Sequence, residues 1–66
     1  MELNTMKIKL LLAELEMNQV DLARKCGMTR QQISEILSRK SCSLKILGKI
    51  AKAVGVSVAE IVKEGF

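Results

Sequence analysis

The chain has 66 residues and a mass of 7.3 kDa, which allows one small domain over residues 1–66. Hydrophobic residues make up 48% and charged residues 27%, a balance typical of a globular protein rather than a disordered or membrane-spanning one. Histidine is absent and only two cysteines are present, so the usual general base is missing and a four-ligand zinc site would need carboxylates. We therefore expect no enzymatic activity, no metal and no cofactor.

The net charge of +4 is unevenly distributed along the chain. Residues 24–52 contain eight lysines and arginines against Glu35 alone, whereas the two ends together are acidic. A basic middle predicts a polyanionic partner for one surface, although a solvated charged surface would have the same composition. No segment reaches the ~18 apolar residues of a membrane span, and no export signal precedes the first predicted helix. We expect a cytoplasmic protein with reduced thiols.

The first predicted helix runs from about Thr5 to Glu16. Its apolar residues recur three and four positions apart and form one stripe, Ile8, Leu11, Leu12 and Leu15. Asn18 is a good N-cap for a second helix, and Asp21 in its first turn suits the positive end of the helix dipole. The inner face of this helix is predicted to be Leu22, Ala23 and Cys26. Gly27 then suits the left-handed conformation that ends a helix.

Thr29 to Gln32 has the pattern of a capping box and opens a third helix. The apolar stripe of this helix is Ile33, Ile36 and Leu37. Residues 38–43 predict a polar loop, after which Ser43 caps a fourth helix. The inner positions of the fourth helix are predicted to be Leu44, Leu47, Ile50, Ala51 and Val54. Gly48 interrupts it, either for a close backbone approach or through simple tolerance, and Gly55 ends it.

Ser57 to Glu60 predicts a second capping box, which starts a last turn or two through Ile61 and Val62. The chain contains no proline, and its abundant Leu, Ala, Lys, Glu, Met and Gln favour helix. Apolar and polar residues do not alternate over any stretch long enough to predict a strand. We therefore expect an all-α fold of five short helices.

The second and third helices are joined by only a few residues around Gly27. Ala23, Gly27 and Ile33 have a spacing that a sharp helix–turn–helix corner requires. Ala23 is small enough for close packing, Gly27 can adopt a positive φ angle, and Ile33 fills the angle from the third helix. This pattern predicts a helix-turn-helix, and together with the basic middle it favours DNA binding over an ordinary helical hairpin.

Residues 18–34 resemble the helix-turn-helix of the Cro and phage-repressor (Xre-type) regulators, and residues 50–57 are similar to the fourth helix and the start of the fifth in that family. The resemblance implies a compact five-helix, lambda-repressor-like domain whose helix-turn-helix occupies about residues 19–38. It also implies a sequence-specific transcriptional regulator, in function a repressor. Such a regulator would be a bacterial or phage protein that binds palindromic, operator-like double-stranded DNA as a homodimer.

The third helix is predicted to read bases in the major groove. With Ile33 on its buried side, a rotation of 100° per residue places opposite it Gln31, Glu35 and Ser38, with Ser34 alongside. Arg30 suits bidentate contact with guanine and Gln31 with adenine. Glu35 either accepts from cytosine and discriminates against other bases, or pairs with Arg39 on the helix surface. The predicted base contacts are Arg30, Gln31, Ser34 and Glu35.

Polar and cationic side chains beside this face are predicted to contact the DNA backbone, namely Gln19, Thr29, Ser38, Arg39, Lys40, Ser41 and Lys45. In the family, the glutamine that Gln19 matches reaches a phosphate. A helix N-terminus also suits an anion on physical grounds. Thr29 can cap the third helix and touch a phosphate as well, and Arg39 or Lys40 can enter a neighbouring minor groove.

Surplus apolar residues near the C-terminus predict a dimer interface formed by Val58, Ile61 and Phe66. The alternative for Ile61, and for Val62 beside it, is that both close the core of the monomer. A second class of function is a protein-interaction module of the same fold, such as an antitoxin-like partner. Neither a small-molecule substrate nor a membrane is expected as a partner.

Overall fold

Five helices in chain order make up most of the computed structural model, which describes residues 2–63. They are α1 (Thr5–Glu14), α2 (Gln19–Cys26), α3 (Arg30–Arg39), α4 (Leu44–Val54) and α5 (Val58–Ile61). α2 packs against both α3 and α4, and α5 packs against α1 and α4. Residues 2–63 contain no extended strand, only two isolated antiparallel bridges. The predicted all-α, five-helix fold is confirmed.

The helix starts around the predicted corner are fixed by side chains close in sequence. The Asp21 N–H donates to Asn18 Oδ1 at 2.9 Å, and the Asn18 N–H donates to Asp21 Oδ2 at 3.1 Å. The Thr29 N–H donates to Gln32 Oε1 at 2.9 Å, and the Gln32 N–H donates to Thr29 Oγ1 at 3.1 Å. These two reciprocal pairs are capping boxes and confirm the predicted first turns of α2 and α3.

The cap predicted for α4 is formed, because Ser43 Oγ accepts the Ile46 N–H at 3.3 Å. The capping box predicted for α5 is formed only in part. The Ser57 N–H donates to Glu60 Oε2 at 3.3 Å, whereas the Glu60 N–H donates to the Ser57 carbonyl at 3.1 Å and not to the Ser57 hydroxyl. Asn4 was not predicted as a cap, yet its Oδ1 accepts the Lys7 N–H at 3.1 Å and begins α1.

Three helices end on a residue in the left-handed region. Gly27 and Gly55 have φ angles of 70° and 76° and end α2 and α4 as predicted. The end of α3 was predicted wrongly, because the helix continues through Arg39 and Lys40 takes the left-handed position with φ 59°. The Lys40 N–H closes that end by donating to the Ile36 carbonyl at 2.8 Å. A lysine there accepts strain that glycine would avoid.

One continuous core lies between the helices and consists of Leu3, Ile8, Leu12, Leu22, Ala23, Cys26, Ile33, Leu37, Leu47, Ile50, Ala51, Val54 and Ile61. Two predicted inner residues are on the surface instead. Leu15 is 47% exposed because α1 ends at Glu14, and Leu44 is 67% exposed in the first turn of α4. The apolar pattern of α1 and α4 therefore includes residues that no other helix covers.

The segment before α1 joins the C-terminal end of the described chain. Leu3 is buried, and its N–H donates to the Lys40 carbonyl at 2.8 Å. The Asn4 N–H donates to the Ile61 carbonyl at 2.8 Å. Val62 was predicted to be helical but is extended and bridges to Leu3. These hydrogen bonds join the segment before α1 to the end of α3 and to the end of α5.

Substitution of Gly48 by alanine is expected to raise the free energy of unfolding by ~1 kcal/mol, since glycine is a poor helix former. A Cβ atom at Gly48 would meet nothing within 4 Å, so simple tolerance explains this glycine and a close backbone approach does not. Gly27→Ala is the matched control, because an alanine at position 27 must adopt a positive φ, which strains its backbone. Urea unfolding should show opposite signs for the two variants, and destabilisation by both would contradict this reading.

Candidate nucleic-acid interface

The outward side of α3 is polar and accessible. Ile33 and Leu37 are buried, which fixes how the helix is rotated about its axis. Arg30 in the first turn is exposed. One shallow concavity on the surface is lined by Gln31, Ser34, Glu35, Ser38 and Arg39. All of these lining residues are exposed except Ser34, which is half-buried. The structure thus brings together three predicted base-contact residues and two predicted backbone-contact residues.

The corner that aims α3 has the predicted arrangement. Ala23 is buried between the helices, Gly27 is left-handed, and Ile33 is completely buried. The Gly27 and Met28 N–H groups donate back to the carbonyls of Arg24 at 3.2 Å and Ala23 at 2.8 Å. These bonds satisfy the last carbonyls of α2, so the turn is held by the backbone as well as by packing.

The first turn of α3 divides its polar groups between capping and exposed surface. The Gln32 side-chain oxygen is occupied by the Thr29 N–H, so Gln32 serves the fold. Thr29 Oγ1 accepts the Gln32 N–H, and the Thr29 hydroxyl keeps its own proton to donate outward. Gln19 is half-buried in the first turn of α2. Both positions are compatible with the predicted backbone contacts.

The remaining predicted backbone-contact residues are Ser38, Arg39, Lys40, Ser41 and Lys45, and all of them are exposed. Arg39 and Lys40 end α3, while Lys45 lies in the first turn of α4. Ser41 forms an isolated bridge with Glu2, which ties this segment to the N-terminal strand-like residues. Of these cationic residues, Arg39 lines the concavity, at the C-terminal end of α3.

Glu35 does not form the intrahelical ion pair that was one of its two predicted roles. Across residues 2–63, the only ion pair joins Lys63 Nζ and Glu2 Oε2 at 3.5 Å, and both of these side chains are well exposed. The Glu35 carboxylate is therefore not neutralised by Arg39. An unpaired carboxylate within the concavity would repel phosphate and can accept a hydrogen bond from a base donor.

The basic middle of the sequence divides into two surfaces, which the charge count did not indicate. Lys25, Lys49 and Lys52 line a separate concavity with Ala53, formed by α2 and α4 rather than by α3. To distinguish this surface from the α3 surface, one must know which side of each helix carries the lysines and how α2 packs against α4. Part of the positive charge thus lies away from the residues predicted to read bases.

Neither cysteine lies in an environment that activates its thiol. Burial raises the pKa of the Cys26 thiol, and the Lys49 ammonium only partly opposes that shift. Burial also raises the pKa of Cys42, which is half-buried. Raised pKa values keep thiols protonated at neutral pH, where they are poor nucleophiles. Cys26 accordingly serves as a small apolar residue of the core.

The predicted dimer interface needs correction. Ile61 is completely buried inside the monomer, so its side chain closes the core and cannot contact a partner. Val58 is exposed, whereas Phe66 lies outside the described residues. A single exposed valine offers little area for association.

Within residues 2–63, no group of three or more cysteine, aspartate or glutamate side chains could hold a metal ion. None of the helices in the same range has the length and apolar character needed to cross a bilayer.

Comparison with known proteins adds one match. A family model described as helix-turn-helix matches residues 8–61, which is most of the chain. The match begins and ends at Ile8 and Ile61, two completely buried core residues, and it includes the whole of α2, the Gly27 corner and α3. No curated protein matches the chain.

Proposed function

Because the chain belongs to the helix-turn-helix family of Cro and phage-repressor type DNA-binding regulators, we propose that it represses transcription by inserting α3 into the major groove of a specific operator. One observation carries this proposal. The outward side of α3 is polar, accessible and free of ion pairs among the described residues, while the opposite side anchors the helix in the core. A rigid helix with an uncommitted polar face is suited to reading base edges.

The base-reading roles follow from side-chain chemistry. Arg30, at the tip of α3, presents the donor fork that matches the O6 and N7 atoms of guanine. Gln31 both donates and accepts, which matches the N6 and N7 atoms of adenine. Glu35 only accepts, so it selects cytosine N4 and disfavours acceptor-rich base edges. Ser34 is half-buried beside them and adds a short-range hydrogen bond.

The backbone contacts set the position of α3 over the bases. Gln19 and Thr29 approach phosphates from the first turns of α2 and α3, whereas Arg39, Lys40 and Lys45 approach from the other end of α3. Ser38 and Ser41 add hydroxyl donors between these cations. Contacts at both ends of a helix fix its register in the groove but carry no sequence information.

A homodimer is part of the proposal because one copy has a small footprint. Two copies reading half-sites about one turn of DNA apart would double the contacts and make the operator palindromic. Occupying such a site blocks other proteins from it, which accounts for repression. The site of action is the cytoplasm of a bacterium or a phage-infected cell, where the DNA lies.

The affinity for a selected duplex is expected to fall steeply with salt. Three cationic side chains per protomer, Arg39, Lys40 and Lys45, are assigned to phosphates, so a dimer should show a log–log slope of about −5 against salt concentration. Fluorescence anisotropy across a salt series measures the slope. A slope near zero, or equal affinity for all duplexes, would count against a regulator and favour a protein-interaction module.

A further inference from the structure

The outer face of α1 carries apolar side chains that the domain leaves uncovered. Met6 and Leu10 lie one helical turn apart and are 65% and 57% exposed. They line a mainly apolar groove together with Lys7, Leu11 and Glu14. Ala13 is exposed beside them. We call this surface the α1 outer face, and it consists of Met6, Lys7, Leu10, Leu11, Ala13 and Glu14. Exposed large apolar residues grouped along one helix are typical of an interaction site.

Two opposite charges border this groove, and neither has a partner of opposite sign among residues 2–63. Lys7 and Glu14 are seven residues apart, so their Cα atoms are separated by ~10.5 Å along the helix axis. The only ion pair among residues 2–63 is the one between Lys63 and Glu2. Lys7 and Glu14 therefore form no ion pair with each other or with any other residue in that range.

The placement of these charges is self-complementary. At 100° per residue, Lys7 and Glu14 lie within ~60° of Leu10 on one side, while Met6 and Ala13 lie within ~60° on the other. A two-fold axis that passes beside Leu10, perpendicular to α1, would place two copies of α1 antiparallel. The side of α1 that carries Lys7 and Glu14 would then face the same side of the second copy. Lys7 would then stand opposite Glu14 of the second copy, offset by only ~1.5 Å along the axis.

We propose that the α1 outer face is the surface through which two copies of this chain associate. Leu10 packs against Leu10 of the second copy at the two-fold axis, and Met6 packs against Ala13 of that copy. Two reciprocal Lys7–Glu14 ion pairs flank this apolar centre, as an isologous interface requires. The inference rests on the proposed function for its purpose, since a palindromic operator is read by two copies of the chain.

The size of the surface sets the strength of the association. One pair of ten-residue helices buries less area than a standard stable interface, so the free dimer is weak. Adjacent half-sites on one duplex raise the effective concentration of the second copy, so DNA promotes dimer formation. No residue of the α1 outer face is assigned to DNA, and variants of this face therefore leave the reading surface intact.

A charge-swap series tests the interface by sedimentation equilibrium without DNA, up to several hundred micromolar protein. Lys7→Glu and Glu14→Lys each replace two attractive pairs with two repulsive ones and should weaken dimerisation about tenfold. The double variant Lys7→Glu/Glu14→Lys restores opposite charges and should return to within about twofold of the original affinity. Leu10→Gln should leave only monomer. Leu44→Gln, which alters a still more exposed leucine on α4, should change nothing.

Several results would overturn the inference. They are a chain that stays monomeric at the highest concentration, single reversals that behave like the original chain, or a double variant that fails to recover. Loss of the dimer through Val58→Gln alone would assign association to α5 instead.

Binding to a duplex with a single half-site separates this inference from the proposed function. The Leu10→Gln monomer should bind that duplex normally, whereas failure of the original chain to bind any selected duplex would reject the regulator itself.

Discussion

Replacement of Ile33 by alanine is expected to lower the free energy of unfolding by ~2–5 kcal/mol. Ile33 is completely buried, and it joins α3 to the core at the corner that also contains Ala23 and Gly27. A domain of this size has a total stability of only ~3–10 kcal/mol. The variant should therefore be largely unfolded near its physiological temperature, as measured by circular dichroism during thermal and urea unfolding.

Two further variants keep this prediction testable if the alanine variant does not fold. Ile33→Val removes one methylene group and should cost ~0.5–1.5 kcal/mol while preserving the fold. Leu44→Ala removes apolar atoms from a largely exposed side chain and should change the stability by less than ~0.5 kcal/mol. Equal losses at positions 33 and 44 would contradict the burial that orients α3.

Replacement of Gln31 by alanine is expected to change which sequences the protein selects. The variant should lose ~1–3 kcal/mol of discrimination at one base pair of each half-site, because the bidentate contact with adenine is removed. Its fold should be unaffected, since Gln31 is exposed and takes no part in the capping box of α3. Selection from a random duplex pool, followed by affinity measurements on single-base variants, measures the change.

Lys40→Asn is the matched control for this experiment. Asparagine tolerates the left-handed backbone that Lys40 adopts, so the substitution removes the charge without adding strain. It should weaken binding to all duplexes by a similar factor and make the salt slope shallower by about two for a dimer. If the two variants had the same effect on selectivity, the division between base and backbone contacts would be wrong.

The local parts of the fold were predictable because their causes are local. Asn18, Thr29 and Ser43 cap helices through bonds to residues three positions away, so the sequence contains both partners side by side. Gly27 and Gly55 end helices because only glycine adopts a positive φ freely. The helix-turn-helix followed from these signals and from the small Ala23.

The parts that were missed depend on contacts between distant segments. Nothing near Leu3 in sequence indicates that its N–H bonds to Lys40 or that Val62 bridges to it. Leu15 and Leu44 fit an apolar period but lie where no second helix covers them. Periodicity shows which side of a helix is apolar, whereas burial depends on what packs against that side.

The candidate site was predictable to the same extent. The rotation of α3 follows from Ile33 alone, so the exposed polar residues could be named in advance. The sequence is compatible with two roles for Glu35. The described residues contain no ion pair between Glu35 and Arg39, so only the role in base reading is left. The separate cationic surface of Lys25, Lys49 and Lys52 depends on how α2 meets α4, which a count of charges along the chain does not contain.

An NMR titration of the isotope-labelled chain with a selected duplex shows whether the outer side of α3 contacts bases. The largest chemical-shift changes should fall on Arg30, Gln31 and Ser34, with the Gln31 side-chain amide among them. Duplexes lacking the selected sequence should perturb mainly Arg39 and Lys40. Unchanged α3 signals, with shifts confined to Lys25, Lys49 and Lys52, would show that α3 does not read bases.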